Sequence, residues 1–226
     1  KESWDYLFHS LKADIVLAQE MGDPEKVCPY PFVYWNKIGG NRDWGSGIAS
    51  KLNLTPVDIE LTLPEFHGAI AIANIFAEAR HPVTLISLYG LLDKLGYSIT
   101  NLHRMLSDLT PLLNGHLQER LFILGGDLNA DVQIDPQNRT PHSHRILFAR
   151  IRDFGLIDYL AKFHKYPVQT LRHARSKIPW QNDYLYASKS LSAENVLLHA
   201  DVIGDLALFP LSDHNPVVGV FEVPEI

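Results

Sequence analysis

Short apolar runs rich in strand-forming residues recur along the whole chain, and they do not alternate strictly with helices. "ADIVLAQE", "PFVYW", "SGIAS", "VDIELTL", "AIAIANIF" and "PVTLISLY" follow one another, each closed by turn residues. Such runs fit a pleated, half-buried surface. Helical spacing breaks in at only a few places. Trp4, Leu7, Phe8 and Leu11 form one stripe, and Leu147, Ile151 and Phe154 another that stops at Gly155. The longest stripe joins Ile99, Leu102, Leu106, Leu109 and Leu113 in steps of three and four. "RLFILGGD", "NDYLYAS", "AENVLLHADVI" and "NPVVGVFEV" complete the strand candidates. A strict strand–helix alternation would give a doubly wound parallel sheet. This order predicts two packed sheets with helices outside.

The 226 residues suit one large domain, and no linker, repeat or low-complexity tract divides them. Apolar residues make up 46% and charged residues 20%, enough for a sizeable core. No apolar run reaches the roughly 18 residues of a membrane span. Cys28 stands alone, so no internal disulfide framework exists, which is compatible with a reducing, cytoplasmic setting. The net charge of −6 does not announce a nucleic-acid binder, but the charge is polarised. Between Tyr159 and Asn182 there is no Asp or Glu, whereas Lys162, Lys165, Arg172, Arg175 and Lys177 all fall there.

Polar clusters sit where apolar strands stop, the positions from which side chains emerge off a rigid scaffold. They are Gln19-Glu20, Gly126-Asp127-Leu128-Asn129, Asp183 in "WQNDYLYAS", and Ser212-Asp213-His214. Taken singly, each reads as a solvated turn, a helix cap or a surface pair. Taken together they match the needs of phosphoester hydrolysis: a hard cation on oxygen ligands, an oriented water, and charge on the non-bridging oxygens. Glu20 offers a carboxylate to a metal. Asp127 can orient or deprotonate a water, and Asn129 can donate to phosphate. Asp183 can pair with His214, fixing its tautomer. Asp213 is a further metal or water ligand. No Cys/His spacing of the zinc kind is present. His67, His142, His144 and His173 read as surface or capping residues, with His142 and His144 close enough to the "GGDLNAD" loop to reach substrate.

In order, "ADIVLAQE", "SLYG", "GGDLNAD", "WQNDYLYAS" and "LSDHNPVVGVFE" resemble the successive motifs of the endonuclease/exonuclease/phosphatase superfamily. They span Ala13 to Glu222. The resemblance implies a DNase I-like four-layer α/β sandwich: two packed, mostly antiparallel sheets flanked by helices. It implies Mg²⁺, with Mn²⁺ as an alternative, and a metal-dependent hydrolase. The superfamily's metal-binding Glu falls on Glu20, its Asp-x-Asn pair on Asp127 and Asn129, and its later Asp on Asp183. Its terminal Asp-His falls on Asp213 and His214. Tyr89 falls where some branches carry a phosphate-contacting Tyr and others a His. Two departures stand out. The superfamily opens with a strand ending in Asn, while this sequence starts at the following helix, so an upstream strand beside "ADIVLAQE", read as an interior strand, is expected. Gln181-Asn182 stand where an Arg often precedes the Asp.

Three functions follow from these features. A nuclease acting on DNA or RNA would use Arg172 and Arg175 on backbone phosphates and Trp180, with Tyr166, to stack a base. A phosphatase or phosphodiesterase on a small-molecule or lipid head-group phosphate suits the acidic remainder of the surface. An inactive binding module on the same scaffold would be expected to lose site residues, and Glu20, Asp127, Asn129, Asp183, Asp213 and His214 are all present. The oligomeric state leaves no trace in the sequence.

Overall fold

The computed structural model describes residues 1–78, 82–114, 121–137, 142–165, 167–172, 177–192, 197–204 and 210–222. Its frame is a six-stranded sheet in the order β4 (Thr55–Pro56), β5 (Ile70–Ile75), β6 (Val83–Leu88), β7 (Leu121–Asp127), β9 (Asp183–Ser188), β8 (Leu156–Asp158). Pairing is antiparallel except between β6 and β7. The connection between those two strands carries α2 (Ile99–Asp108) and α3 (Thr110–Asn114), the covering helices a parallel crossover requires.

Alternation along β5 shows how this sheet is covered on both faces. Ile70 and Ile72 point to a core shared with Leu102, Leu106 and Leu113 and with Leu147 and Ile151 of α4 (Ser143–Asp153). Ala71 and Ala73 point the other way, to a core with Ile48, Val83 and Leu85. That second core lies under a three-stranded sheet in the order β1 (Ile15–Gly22), β3 (Trp44–Ser50), β2 (Phe32–Lys37). A separate hairpin-like pair, β10 (Leu197–Val202) and β11 (Val217–Phe221), packs with α5 (Tyr159–Phe163) on Leu185 and Ala187 of β9. The N-terminal helix, α1 (Glu2–Asp5), runs on as a wider π turn over Tyr6–Ser10 and sets Trp4 and Phe8 edge-on to Tyr30. The result is the expected α/β sandwich of two strand layers with flanking helices. No helix of the described residues is long and apolar enough to cross a membrane.

Several sequence expectations change. Among the described residues β1 pairs only with β3 and most of it is half-buried, so the side on which the sequence leads us to expect an upstream strand has no partner here. Beside it lies a cleft of about 1010 Å³, with β11 on the far wall and Ile123, Gly125 and Leu185 of the six-stranded sheet beneath. "VDIELTL" is not a strand. Val57, Ile59, Leu61 and Leu63 do pack on the core, but the pairing with β5 covers only Thr55–Pro56 and the Val57 N–H. The alternation reflected packing without a hydrogen-bonded ladder. The long apolar stripe is two helices, not one. Pro111 has no N–H to continue the α2 ladder, and the Thr110 hydroxyl bonds back to the Leu106 carbonyl.

Candidate active site

Two glycines bring the strand ends together. A side chain at Gly90 would run into the Leu128 carbonyl, and one at Gly126 (φ +151°) into the Leu88 carbonyl. The Gly90 N–H therefore reaches the Asp127 carbonyl at 2.7 Å, locking the end of β6 to the end of β7. At the tip of β7, Asp127 is buried. Its Oδ1 accepts the Asn129 N–H at 2.8 Å, and its own N–H donates to Gln19 Oε1 at 3.3 Å. Asn129 takes a left-handed conformation (φ 47°) that Asn tolerates well, and its side-chain amide donates to the Gly90 carbonyl at 3.2 Å.

Glu20 is delivered by a β-bulge. Ala18 pairs with Gly47 and Met21 with Gly45, so Gln19 and Glu20 together oppose Ser46. Glu20 sits at φ 51°, which re-aims its side chain and which a non-glycine residue adopts at some conformational cost. Its Oε1 accepts the Tyr89 hydroxyl at 2.7 Å. Tyr89 is buried, edge-on to Trp44. Burial, then the Glu20 bond, push its hydroxyl pKa far up, so it remains a donor.

Asp183 opens β9, directly opposite Asp127 in the register. Its Oδ2 lies 2.7 Å from His214 Nδ1, and His214 Nε2 lies 4.0 Å from Asp127 Oδ2. Burial alone would lower the His214 pKa. The Asp183 bond and charge, with Asp127 and Asp213 behind it, outweigh that and push it up to about 9. At neutral pH the ring is thus an imidazolium, donating to Asp183. Asp127 moves well above the usual carboxylate range, through burial first and then repulsion from Asp183, partly offset by His214.

Ligand atoms of Asp127, Asp183 and His214 lie within 4.8 Å of one another, close enough to hold a metal ion. A protonated imidazole offers no lone pair, however, so His214 suits acid–base and charge roles better than ligation. The carboxylates of Glu20 and Asp213 are exposed and line the same cleft as Asp127 and Asp183. This all-oxygen set is what a hard divalent cation prefers. The mutual repulsion that raises Asp127 is what such a cation would relieve. In donor type, the residues present fit the ion.

The chain matches the Endonuclease/Exonuclease/phosphatase family over residues 6–214. It belongs to that family. The family's members hydrolyse phosphoesters, so the chain is a phosphoester hydrolase, and the family is generally dependent on a divalent metal. Family-like folds recur among solved structures. An AP endonuclease from Archaeoglobus fulgidus is 21% identical, with 96% of this chain and 92% of that one covered and a TM-score of 0.69. A 3′ phosphatase, NExo, from Neisseria, bound to a product DNA hairpin, is 19% identical (98% and 94% covered, TM-score 0.70). The endonuclease domain of TRAS1, a telomere-specific non-LTR retrotransposon, is also 19% identical (99% and 93%, TM-score 0.66). No curated protein matches the chain.

Of the site residues expected within this family, Asp127, Asn129, Asp183, His214, Tyr89 and Glu20 converge through the contacts above. Asp213 adjoins them, its carbonyl taking the Arg172 N–H at 2.8 Å. Trp180 is half-buried, and its carbonyl accepts two main-chain N–H groups, from Thr170 and Leu171. Arg175 and Tyr166 lie outside the described residues, as does His173. His144 is no surface histidine: it is buried, its Nδ1 accepting the Asp131 N–H at 3.2 Å. Gln181 and Asn182 are buried braces, bonded to Asp131 and Thr170 through their main-chain N–H groups. Gln19 went unassigned in the sequence, yet it bonds both Ser87 and the Asp127 main chain. Its position beside Glu20 was the available signal. Asp131, the second Asp of "GGDLNAD", is fully buried and carries three hydrogen bonds from Gln133 and Gln181.

Proposed function

We propose that the chain is a Mg²⁺-dependent phosphodiester hydrolase acting on DNA or RNA. The observation that carries this reading is the Asp183–His214 pair at 2.7 Å with Asp127 4.0 Å beyond it, all at one end of a single cleft. Glu20 and Asp213 would hold the cation, which when bound would supply Lewis-acid charge to a phosphate oxygen. Asp127, with its raised proton affinity, takes the proton of the attacking water. His214, cationic and fixed by Asp183, meets the charge that builds on the non-bridging oxygens. Asn129 holds Asp127 through its main-chain N–H and keeps an amide hydrogen for the phosphate. Tyr89 keeps Glu20 aligned through its hydroxyl and serves as a contact to the phosphate. Arg172 and Trp180 are the described residues that would extend the contact along a polymer, with Arg175 an expectation from the sequence alone. The names of the solved relatives, which include an AP endonuclease and a DNA-bound 3′ phosphatase, favour a nucleic-acid substrate.

A small phosphate ester is the second reading, favoured by the net charge of −6. The test is a panel of DNA, RNA, nucleotide and inositol-phosphate substrates with Mg²⁺ or Mn²⁺, with excess EDTA, and with Asp127→Asn as control. Turnover should vanish in EDTA and return with metal. A polyanionic substrate should give kcat/KM that falls steeply with salt, because bound phosphates release counterions. A shallow slope favours the small substrate, and full activity in EDTA defeats the metal-dependent reading.

A further inference from the structure

Thr170 lies in a stretch with no strand or helix of its own, and nothing in the motifs points to it. It is fully buried. Its Oγ1 accepts two successive main-chain N–H groups, from Asn182 at 2.9 Å and Asp183 at 3.0 Å. Its own main chain looks both ways: the N–H donates to the Trp180 carbonyl at 2.9 Å, and the carbonyl accepts the Asn215 N–H at 2.7 Å. The next residues continue this strap. Leu171 makes an antiparallel bridge to His214, and the Arg172 N–H donates to the Asp213 carbonyl at 2.8 Å. Asp183 and His214 belong to different segments, 31 residues apart, and no strand ladder joins β9 to residues 213–215 among the described residues.

We propose that Thr170 is a positioning residue that sets the Asp183–His214 pair. Its hydroxyl orients the peptides that begin β9, and hence the direction in which Asp183 leaves the backbone. Its carbonyl fixes the peptide following His214. One residue thus ties both partners to a common reference, and the 2.7 Å bond between their side chains follows from it. A hydroxyl is needed because its oxygen has two lone pairs, enough for both amides. Valine has the same shape and offers none. The inference rests on the hydrolytic reading of the pair given above, and one readout below does not.

Thr170→Val, Thr170→Ser and Thr170→Ala in the full chain test it. kcat and KM are measured on bis(4-nitrophenyl) phosphate with Mg²⁺. The low-field proton resonance of the His214 Nδ1–H is followed by NMR, assigned by its loss in His214→Asn. Thr170→Val should lower kcat about 10- to 100-fold with KM within about twofold, the pattern of misplaced reacting groups. The His214 resonance should move or vanish, and Thr170→Ser should restore both. A Thr170→Val protein with wild-type kcat and resonance overturns the proposal, as does a Thr170→Ser protein as impaired as the valine variant. Where valine does not fold, Thr170→Ala takes its place with the same two outcomes. A wild-type protein that shows the resonance but hydrolyses no phosphoester defeats the hydrolytic reading alone, and the resonance then decides the role of Thr170.

Discussion

The two strand layers meet at one site but differ in how their strands are paired among the described residues. In the six-stranded sheet, β6 is buried along its whole length and paired on both sides, and β7 lies between β6 and β9. Among the described residues the other layer comprises a three-stranded and a two-stranded part, with a cleft of about 1010 Å³ between β1 and β11, on the side where an upstream strand is expected. Asp127 and Asp183 stand on the first layer, in register with each other. Glu20, Asp213 and His214 come from a bulge in the second layer and from the loop that leads into it. The well-paired layer supplies groups whose spacing hydrogen bonds fix in advance. The divided layer supplies groups that need extra ties: Tyr89 for Glu20, Asp183 for His214. Precision in this site depends on how each side chain is anchored, and the number of carboxylates matters less.

The sharpest division should appear in catalysis. Asp127→Asn should lower kcat on the order of 10²-fold or more, since it removes the proposed base from its braced position. Asp213→Asn, exposed and without a comparable brace, should cost only about tenfold. Equal losses in steady-state kinetics would show that bracing does not rank these carboxylates.

Stability gives the next contrast, for one substitution made in each layer. Val83 is fully buried in β6, whereas Val218 is half-buried on the cleft wall. Val83→Ala should lower unfolding free energy by about 2–3 kcal/mol, through lost burial and a cavity. Val218→Ala should lower it by under about 1 kcal/mol, because its surroundings are already open. Urea denaturation measures both, and a Val218→Ala loss as large as that of Val83→Ala would mean that the cleft wall is packed in solution.

The smallest expected effect is in pH. The folded-state pKa of His214, about 9, lies above its ordinary value of 6.5. The His214–Asp183 pair therefore stabilises the fold fully below pH ~6.5, and that contribution is lost as pH rises through 9. The raised pKa of Asp127 acts with the same sign, its ionisation costing the folded state as pH rises. In metal-free buffer the melting temperature should decline across this window, and His214→Asn should flatten the decline. A wild-type curve rising from pH 6.5 to 9 would contradict the pairing.

Much of this molecule was legible before any coordinates. Strand runs such as "PVTLISLY" and "NDYLYAS" announce themselves because side chains on a buried strand must be apolar. The acidic clusters are readable because they lie next to those runs in sequence. Other features were closed to sequence reading, for particular reasons. "VDIELTL" has the alternation of a strand and buries its apolar face, but whether its backbone finds a ladder depends on a neighbour. His144 and Gln181 look like surface polar residues, because their buried hydrogen-bond partners lie 13 and 50 residues away.

The sequence by itself determined which chemical groups the candidate site brings forward and that most of them lie next to strand ends, since local order suffices for both. Only the tertiary structure decided that Asp183 meets His214, that a bulge turns Glu20 toward Tyr89, and that burial makes Asp127 basic. Those outcomes depend on distances between segments remote in the chain, and electrostatic and hydrogen-bond energies are set by distance and burial in space.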